Sequence, residues 1–280
     1  MSIAYTPYGS DSADAPTVIA THGITAHSLS WAVVAGLLPE WRFIAVDLRG
    51  RGRSGDLPGP FGLRRHAEDL AQLVDELGIS RAVVAGQSMG GFVAVAFAAL
   101  RPEFATDLVL VDGGLPLVPP PPGTDIETLL GPAAARLKTE FASPEAYLEL
   151  WRNHPALARD WRPEIEAYAR YDLTGVEPHL RSSVSAEAML TDGAELYGPD
   201  WYLDALRGIG RSGIPVEALH APRGLLDDAP LYAPGRMESF TELVPQLHVT
   251  EVPDVNHYTI LFSDRGARAV ADAIRQRSHA

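Results

Sequence analysis

The chain has 280 residues, 46% hydrophobic and 21% charged, with a formal net charge of −13 and no cysteine. This is too apolar for disorder, and the acidic balance, with no basic block to offset it, disfavours nucleic acid and anionic membranes as partners. Lack of cysteine excludes disulfides, thiolate metal sites and a cysteine nucleophile.

No run approaches the roughly 18 apolar residues of a membrane-spanning helix. Residues 1–16, MSIAYTPYGSDSADAP, lack the basic start and apolar stretch of a signal peptide. A cytoplasmic location and a small-molecule substrate are therefore expected. The single lysine, Lys138, sits in a polar stretch and reads as solvated.

Residues 17–20, 43–46, 82–85 and 108–111 are nearly continuous apolar runs, which predicts strands buried on both faces. Between them, residues 66–77 place Ala67, Leu70, Ala71, Val74 and Leu77 on one helical face, ended by Gly78. Residues 91–100 are apolar all round, predicting a helix buried under the sheet and stopped at Arg101-Pro102. The alternation implies an α/β fold with a mostly parallel sheet and helices on both faces.

The pattern changes at residues 114–123, where five prolines form a stiff exit. Residues 124–206 carry no strand pattern and predict helices over 126–140, 144–154, 163–171 and 185–197, with Pro144 and Pro163 in first turns. Strand character returns at 216–219 and 247–252. A last helix then gathers Ala267, Val270, Ala271 and Ile274 on one face. The expected organisation is an α/β core over 1–113 and 207–280 with a helical cap, or lid, over 114–206.

The most informative string is Gly86-Gln87-Ser88-Met89-Gly90, a G-x-S-x-G with a predicted strand before it and a helix after it. A sharp turn there would lift the Ser88 hydroxyl above the sheet, and glycines at 86 and 90 would remove the clashes that such a turn creates. Upstream, the first buried strand runs into His22-Gly23-Ile24. The Ile24 and Met89 N–H groups are expected to form an oxyanion hole, and the His22 side chain to bond the loop backbone.

Among nine histidines, His257 suits the general base, because it follows the last strand at the same sheet edge as the elbow. His66, His154 and His179 read as surface or packing residues, and so does His27 in preference to a place at the cleft entrance. The acid that would orient His257 is expected on a loop after a strand, at Asp227, with Asp228 and Asp112 as alternatives. No ligand spacing for a metal and no phosphate-binding loop appears, so neither metal nor cofactor is expected.

These pieces, together with the turn Asp47-Leu48-Arg49-Gly50-Arg51-Gly52-Arg53-Ser54, resemble the α/β-hydrolase superfamily in order and over nearly the whole chain. The similarity is greatest to small cofactor-free esterase-like members with a helical cap. The resemblance implies an eight-stranded sheet with the cap inserted after strand six, and an acid three residues after Gly224, which favours Asp227. A serine at the elbow, where dehalogenase and epoxide hydrolase relatives carry aspartate, implies acyl transfer.

The activity so implied is cleavage of a carboxylic ester or lactone of a partly apolar substrate by a serine hydrolase. Thioester or carbon–carbon hydrolysis by the same triad and a ligand-binding receptor are the alternatives. The aromatics Phe141, Tyr147, Trp151, Trp161, Tyr168, Tyr171, Trp201 and Tyr202 predict a cap core and an apolar pocket beneath it.

Overall fold

A computed structural model describes residues 2–124, 128 and 130–276. Nine strands appear among them: β1 (Tyr5–Gly9), β2 (Thr17–Thr21), β3 (Arg42–Val46), β4 (Ala82–Gln87), β5 (Ala105–Val111), β6 (Leu173–Val176), β7 (His179–Ser182), β8 (Val216–His220) and β9 (Leu247–Glu251). Seven form the main sheet in the order β1-β3-β2-β4-β5-β8-β9. All neighbours are parallel except β1, which pairs antiparallel with β3 at the edge.

The sheet thus has one strand fewer among the described residues than the resemblance implied. The short stretch ahead of β2 holds one strand and its return turn. The inserted segment accordingly follows the fifth strand of the chain, between β5 and β8.

Burial explains the apolar runs. Every residue of β4 is buried, because helices cover both faces. One face packs Val84, Leu108 and Leu110 against helices Leu63–Glu76 and Met89–Leu100; the other packs Val83, Ala85 and Val109 against helix Asp264–Gln276. The all-apolar helix Met89–Leu100 buries Phe92 and Phe97 almost completely. Each such side chain contributes about 1.5–3 kcal/mol relative to exposure.

Two expectations about the inserted segment change. It is not wholly helical: β6 and β7 form an antiparallel hairpin, and Phe141 bridges Leu180 on its edge. Four-residue strands are too short for an alternating pattern to stand out from the helices around them.

The long helix Asp200–Ser212 also crosses the expected boundary at 206/207. Its buried Tyr202, Leu206 and Ile209 join the core cluster, and the Tyr202 ring lies 5.3 Å from that of Phe92.

The other inserted helices are Pro132–Leu137, Pro144–Arg152, Pro163–Tyr171 and Ala186–Ala194. Ile126, the expected start of the first, lies outside the described residues. Tyr147, Leu148, Trp151, Ile165 and Tyr168 form a small core of their own that reaches Phe262.

Candidate active site

β4 ends at Gln87 and the helix begins at Met89, so Ser88 alone makes the turn. Its backbone stands at φ 55°, ψ −125°, a region that side chains other than glycine rarely enter. The glycines around it are required by contact. A Cβ on Gly86 would lie 2.2 Å from the Gly90 carbonyl oxygen, and one on Gly90 would lie 2.3 Å from that of Thr21. Gly113, beyond β5, comes equally close: a Cβ there would meet the Ser88 carbonyl oxygen at 2.1 Å.

The loop after β2 wraps over this elbow. His22 is fully buried; its Nδ1 donates to the Gly23 carbonyl at 2.8 Å and its Nε2 accepts the Leu48 N–H at 3.0 Å. Burial holds the ring neutral, with the pKa pushed down to about 3. The Gly23 carbonyl belongs to the peptide that carries the Ile24 N–H. In a planar trans peptide the two point in opposite directions, so the His22 bond orients that N–H. Met89, in the first helical turn, has no intrahelical acceptor for its own N–H. Ile24 and Met89 both line the cavity that contains Ser88.

His257 enters the same cavity from the loop after β9. Its Nδ1 lies 2.6 Å from Asp112 Oδ2, and both side chains are buried. Asp112 sits one residue past β5 at φ 46°, and its Oδ1 accepts the Ala221 N–H. Asp227, the expected partner of His257, turns elsewhere. Its carboxylate pairs with Arg223 at 2.7 Å and accepts from Asn256 Nδ2 at 2.9 Å.

β5 pairs with β4, and the Ser88 N–H donates to the Val111 carbonyl at 2.9 Å, so Asp112 begins next to the serine turn, whereas the Asp227 carboxylate is taken up by Arg223 and Asn256. Asp228, the other alternative, accepts the Leu226 N–H within that loop.

Asn256 secures the loop that carries His257. Its amide donates to Asp227 and to the Ala156 carbonyl, and accepts from the N–H groups of Tyr258 and Thr259. Gln87, next to Ser88, donates through Nε2 to the His257 carbonyl at 3.1 Å and approaches the imidazole Nε2 at 3.2 Å. Carbonyl and imidazole lone pairs both want a donor there, which fixes the orientation of the amide. Ser88 Cβ lies 3.2 Å and its Oγ 3.6 Å from the place a Gly23 Cβ would take, so the Gly23 loop closes over the serine side chain.

The cavity measures about 80 Å³. Its walls include Phe92, Leu117, Leu196, Leu231 and Phe262, and no Asp, Glu, Lys or Arg lines it among the described residues. A neighbouring cavity of about 240 Å³ shares Leu130, Leu225, Leu231 and Tyr258 with it and is lined also by His154.

The family profile described as alpha/beta hydrolase fold matches residues 16–264. The chain belongs to this family.

The alpha/beta hydrolase is 40% identical over 100 residues to lipase LipV of Mycobacterium tuberculosis, covering 36% of this chain and 38% of that one. It is 37% identical over 102 residues to the putative carbamate hydrolase RutD of Pseudomonas savastanoi pv. phaseolicola, covering 36% and 39%. The matches therefore span well under half the length of these relatives.

Among solved structures, E-2-(acetamidomethylene)succinate hydrolase superposes with a TM-score of 0.78 at 23% identity, over 99% of this chain and 94% of that one. The hypothetical protein PA1622 of Pseudomonas aeruginosa PAO1 superposes with a TM-score of 0.73 at 25% identity, over 99% and 96%.

The remaining residues of this alpha/beta hydrolase sort by burial. His27 is fully buried, stacks on Tyr168 at 4.3 Å and bonds its carbonyl, tying the inserted segment to the core. His66, expected at a surface or in packing, is also buried and bonds Asp192 at 2.9 Å. His179 is exposed and faces Glu140.

Of the aromatic residues expected around the pocket, Tyr168 is the one that lines it; Tyr147 and Trp151 fill the small cap core. Sequence reasoning passed over Gln87 and Asn256 as hydrogen-bonding groups. Their adjacency to Ser88 and His257 was the available signal.

Proposed function

We propose that this hydrolase cleaves carboxylic esters or lactones through an acyl-enzyme on Ser88. The reading is carried by one observation: the strained Ser88 elbow and the Asp112-bonded His257 share an apolar cavity. With Nδ1–H donated to Asp112, the imidazole keeps a lone pair on Nε2, as a general base requires. Rotation of the Ser88 side chain would bring the hydroxyl to that lone pair, displacing the Gln87 contact.

The attack would then proceed in two steps. Ser88 Oγ adds to the carbonyl carbon while its proton passes to His257, and the oxyanion forms between the Ile24 and Met89 N–H groups. The imidazolium returns the proton to the leaving alcohol. Water then repeats the sequence on the acyl-enzyme. Asp227 takes a supporting part, holding Asn256 and with it the loop of the base. The name of the relative LipV, a lipase, accords with ester cleavage.

The cavity also bears on substrate class. It is narrow, and no Asp, Glu, Lys or Arg lines it among the described residues, so a short, neutral acyl group fits it and an anionic one would be buried unpaired. A fluorophosphonate probe should label Ser88 and not a Ser88→Ala variant. In a substrate panel, short neutral esters should exceed anionic esters and long-chain esters by roughly tenfold or more. Absence of labelling would remove the acyl-enzyme. A faster reaction with anionic esters would remove the substrate class alone.

A further inference from the structure

Two buried arginines grip the oxyanion loop from behind. Arg51 donates through Nε to the Ile24 carbonyl at 3.1 Å, and Arg136 donates through Nη2 to the Thr25 carbonyl at 3.0 Å. With the His22 bond to the Gly23 carbonyl, three consecutive carbonyls each have a buried side chain as donor. Every peptide unit from Gly23 to Ala26 is thereby fixed in orientation.

Both arginines are themselves immobilised. Arg51 pairs with Asp192 Oδ2 at 2.5 Å and also donates to the Arg49 carbonyl. Asp192 further accepts from the Gly62 N–H and from His66. Arg136 pairs with Asp172, donates to the Tyr147 hydroxyl at 2.6 Å and to Ser182 Oγ at 3.1 Å, and stands 5.0 Å over the Trp151 ring.

Asp192, Asp172 and Arg136 all belong to the segment between β5 and β8, so the Arg51–Asp192 pair joins that segment to the core, and Arg136, paired within the segment, reaches the same loop through the Thr25 carbonyl. Buried ion pairs are frequently no more stabilising than apolar packing of the same shape. Their convergence on these two carbonyls therefore points to geometry rather than to stability.

We propose that Arg51 and Arg136 are positioning residues of the oxyanion hole, which make acyl transfer depend on the seating of the inserted segment. The proposal rests on the acyl-enzyme reading of Ser88. Neither guanidinium touches the reacting atoms. They hold the two peptides that follow the one carrying the Ile24 N–H. Because the oxyanion exists only in the transition state, loosening the loop lowers kcat and leaves KM nearly unchanged.

The test compares Arg136→Lys, Arg51→Lys and the double variant Arg136→Met with Asp172→Asn. Lysine keeps the charge opposite the carboxylate, yet a single ammonium cannot reproduce the planar fork that reaches both the aspartate and the carbonyl. Steady-state kinetics on a p-nitrophenyl butyrate substrate are paired with the affinity for an aryl trifluoromethyl ketone. In that adduct Ser88 Oγ bonds the ketone carbon, its proton goes to His257, and the carbonyl oxygen becomes the oxyanion.

The expected result is a kcat lowered roughly 10- to 100-fold, KM within about threefold of the parent, and ketone affinity falling in step with kcat/KM. A folded lysine variant with parental kcat, or one whose KM alone rises, overturns the proposal. If the double variant does not fold, the lysine variants decide. Fluorophosphonate labelling of the parent separates the two layers. An unlabelled parent sinks the acyl-enzyme and this proposal together, whereas a labelled parent with unaffected variants sinks this proposal alone.

Discussion

Asp112 Oδ2 lies 2.6 Å from His257 Nδ1, across 145 residues of chain. Both groups are buried at the ends of parallel strands and reach each other only because β5 and β9 flank β8 in one sheet. Asp227, 30 residues before His257 in the sequence and close to it in space, bonds Arg223 and Asn256 instead.

Substitution distinguishes the two carboxylates. Asp112→Asn should lower kcat/KM for a neutral ester by roughly 10³- to 10⁴-fold, because the amide no longer selects the tautomer with a free Nε2. Asp227→Asn should cost less than about tenfold, since it loosens Asn256 without touching the imidazole. Comparable losses at both positions, or a greater loss at 227, would contradict the assignment.

The Ser88 backbone is strained, and strain is measurable. Ser88→Ala keeps the unfavourable φ of 55° and should abolish most ester turnover while leaving stability near the parent. Ser88→Gly relieves the strain, and its Tm should exceed that of the alanine variant by about 2–4 °C, corresponding to about 1 kcal/mol. Equal melting temperatures for the two variants would argue against a strained elbow.

Gly113 shares that constraint from the neighbouring strand. A methyl group there would press on the Ser88 carbonyl oxygen at 2.1 Å, with backbone on both sides and no flexible side chain to yield. Gly113→Ala should destabilise the fold by roughly 2–3 kcal/mol and reduce activity beyond what lost stability explains, because it displaces both the elbow and adjacent Asp112. Chemical denaturation with parallel kinetics checks both effects; a variant with parental stability would refute the contact.

Stability should fall as pH drops from 7 toward 5. His22 is held neutral by burial, with a folded pKa near 3 against 6.5 when unfolded, so between these values only the unfolded chain takes up the proton. The stabilisation is complete above pH 6.5 and is lost progressively as pH falls toward 3. By pH 5 this one group accounts for about 2 kcal/mol. Burial shifts His27 and His154 in the same direction and adds to the effect.

Asp192 acts in a separate, lower window. Arg51 and His66 hold its pKa down to about 2, so its contribution is present above about 3.8 and lost as pH falls through 2. Calorimetry at pH 5 in buffers of differing ionisation enthalpy should find at least one proton bound on unfolding. A flat stability profile between pH 7 and 5 would rule this account out.

What the sequence alone determined was the set of features built from near neighbours. Gly86, Ser88 and Gly90 form a turn whose sterics involve five consecutive residues and one strand, and the unbroken apolarity of residues 82–85 and 91–100 told which elements lie under cover on all sides. His22 and His257 were legible for the same reason, since each follows a strand that identifies itself.

Only the tertiary structure decided which carboxylate meets the imidazole. Several aspartates end strands along one sheet edge. The choice among them depends on strand order and on the backbone of a single residue, Asp112 at φ 46°, which local sequence does not encode. The hairpin Leu173–Val176 with His179–Ser182 and the pairing of Arg136 with Asp172 were equally hidden, because each draws its stability from partners distant in the chain.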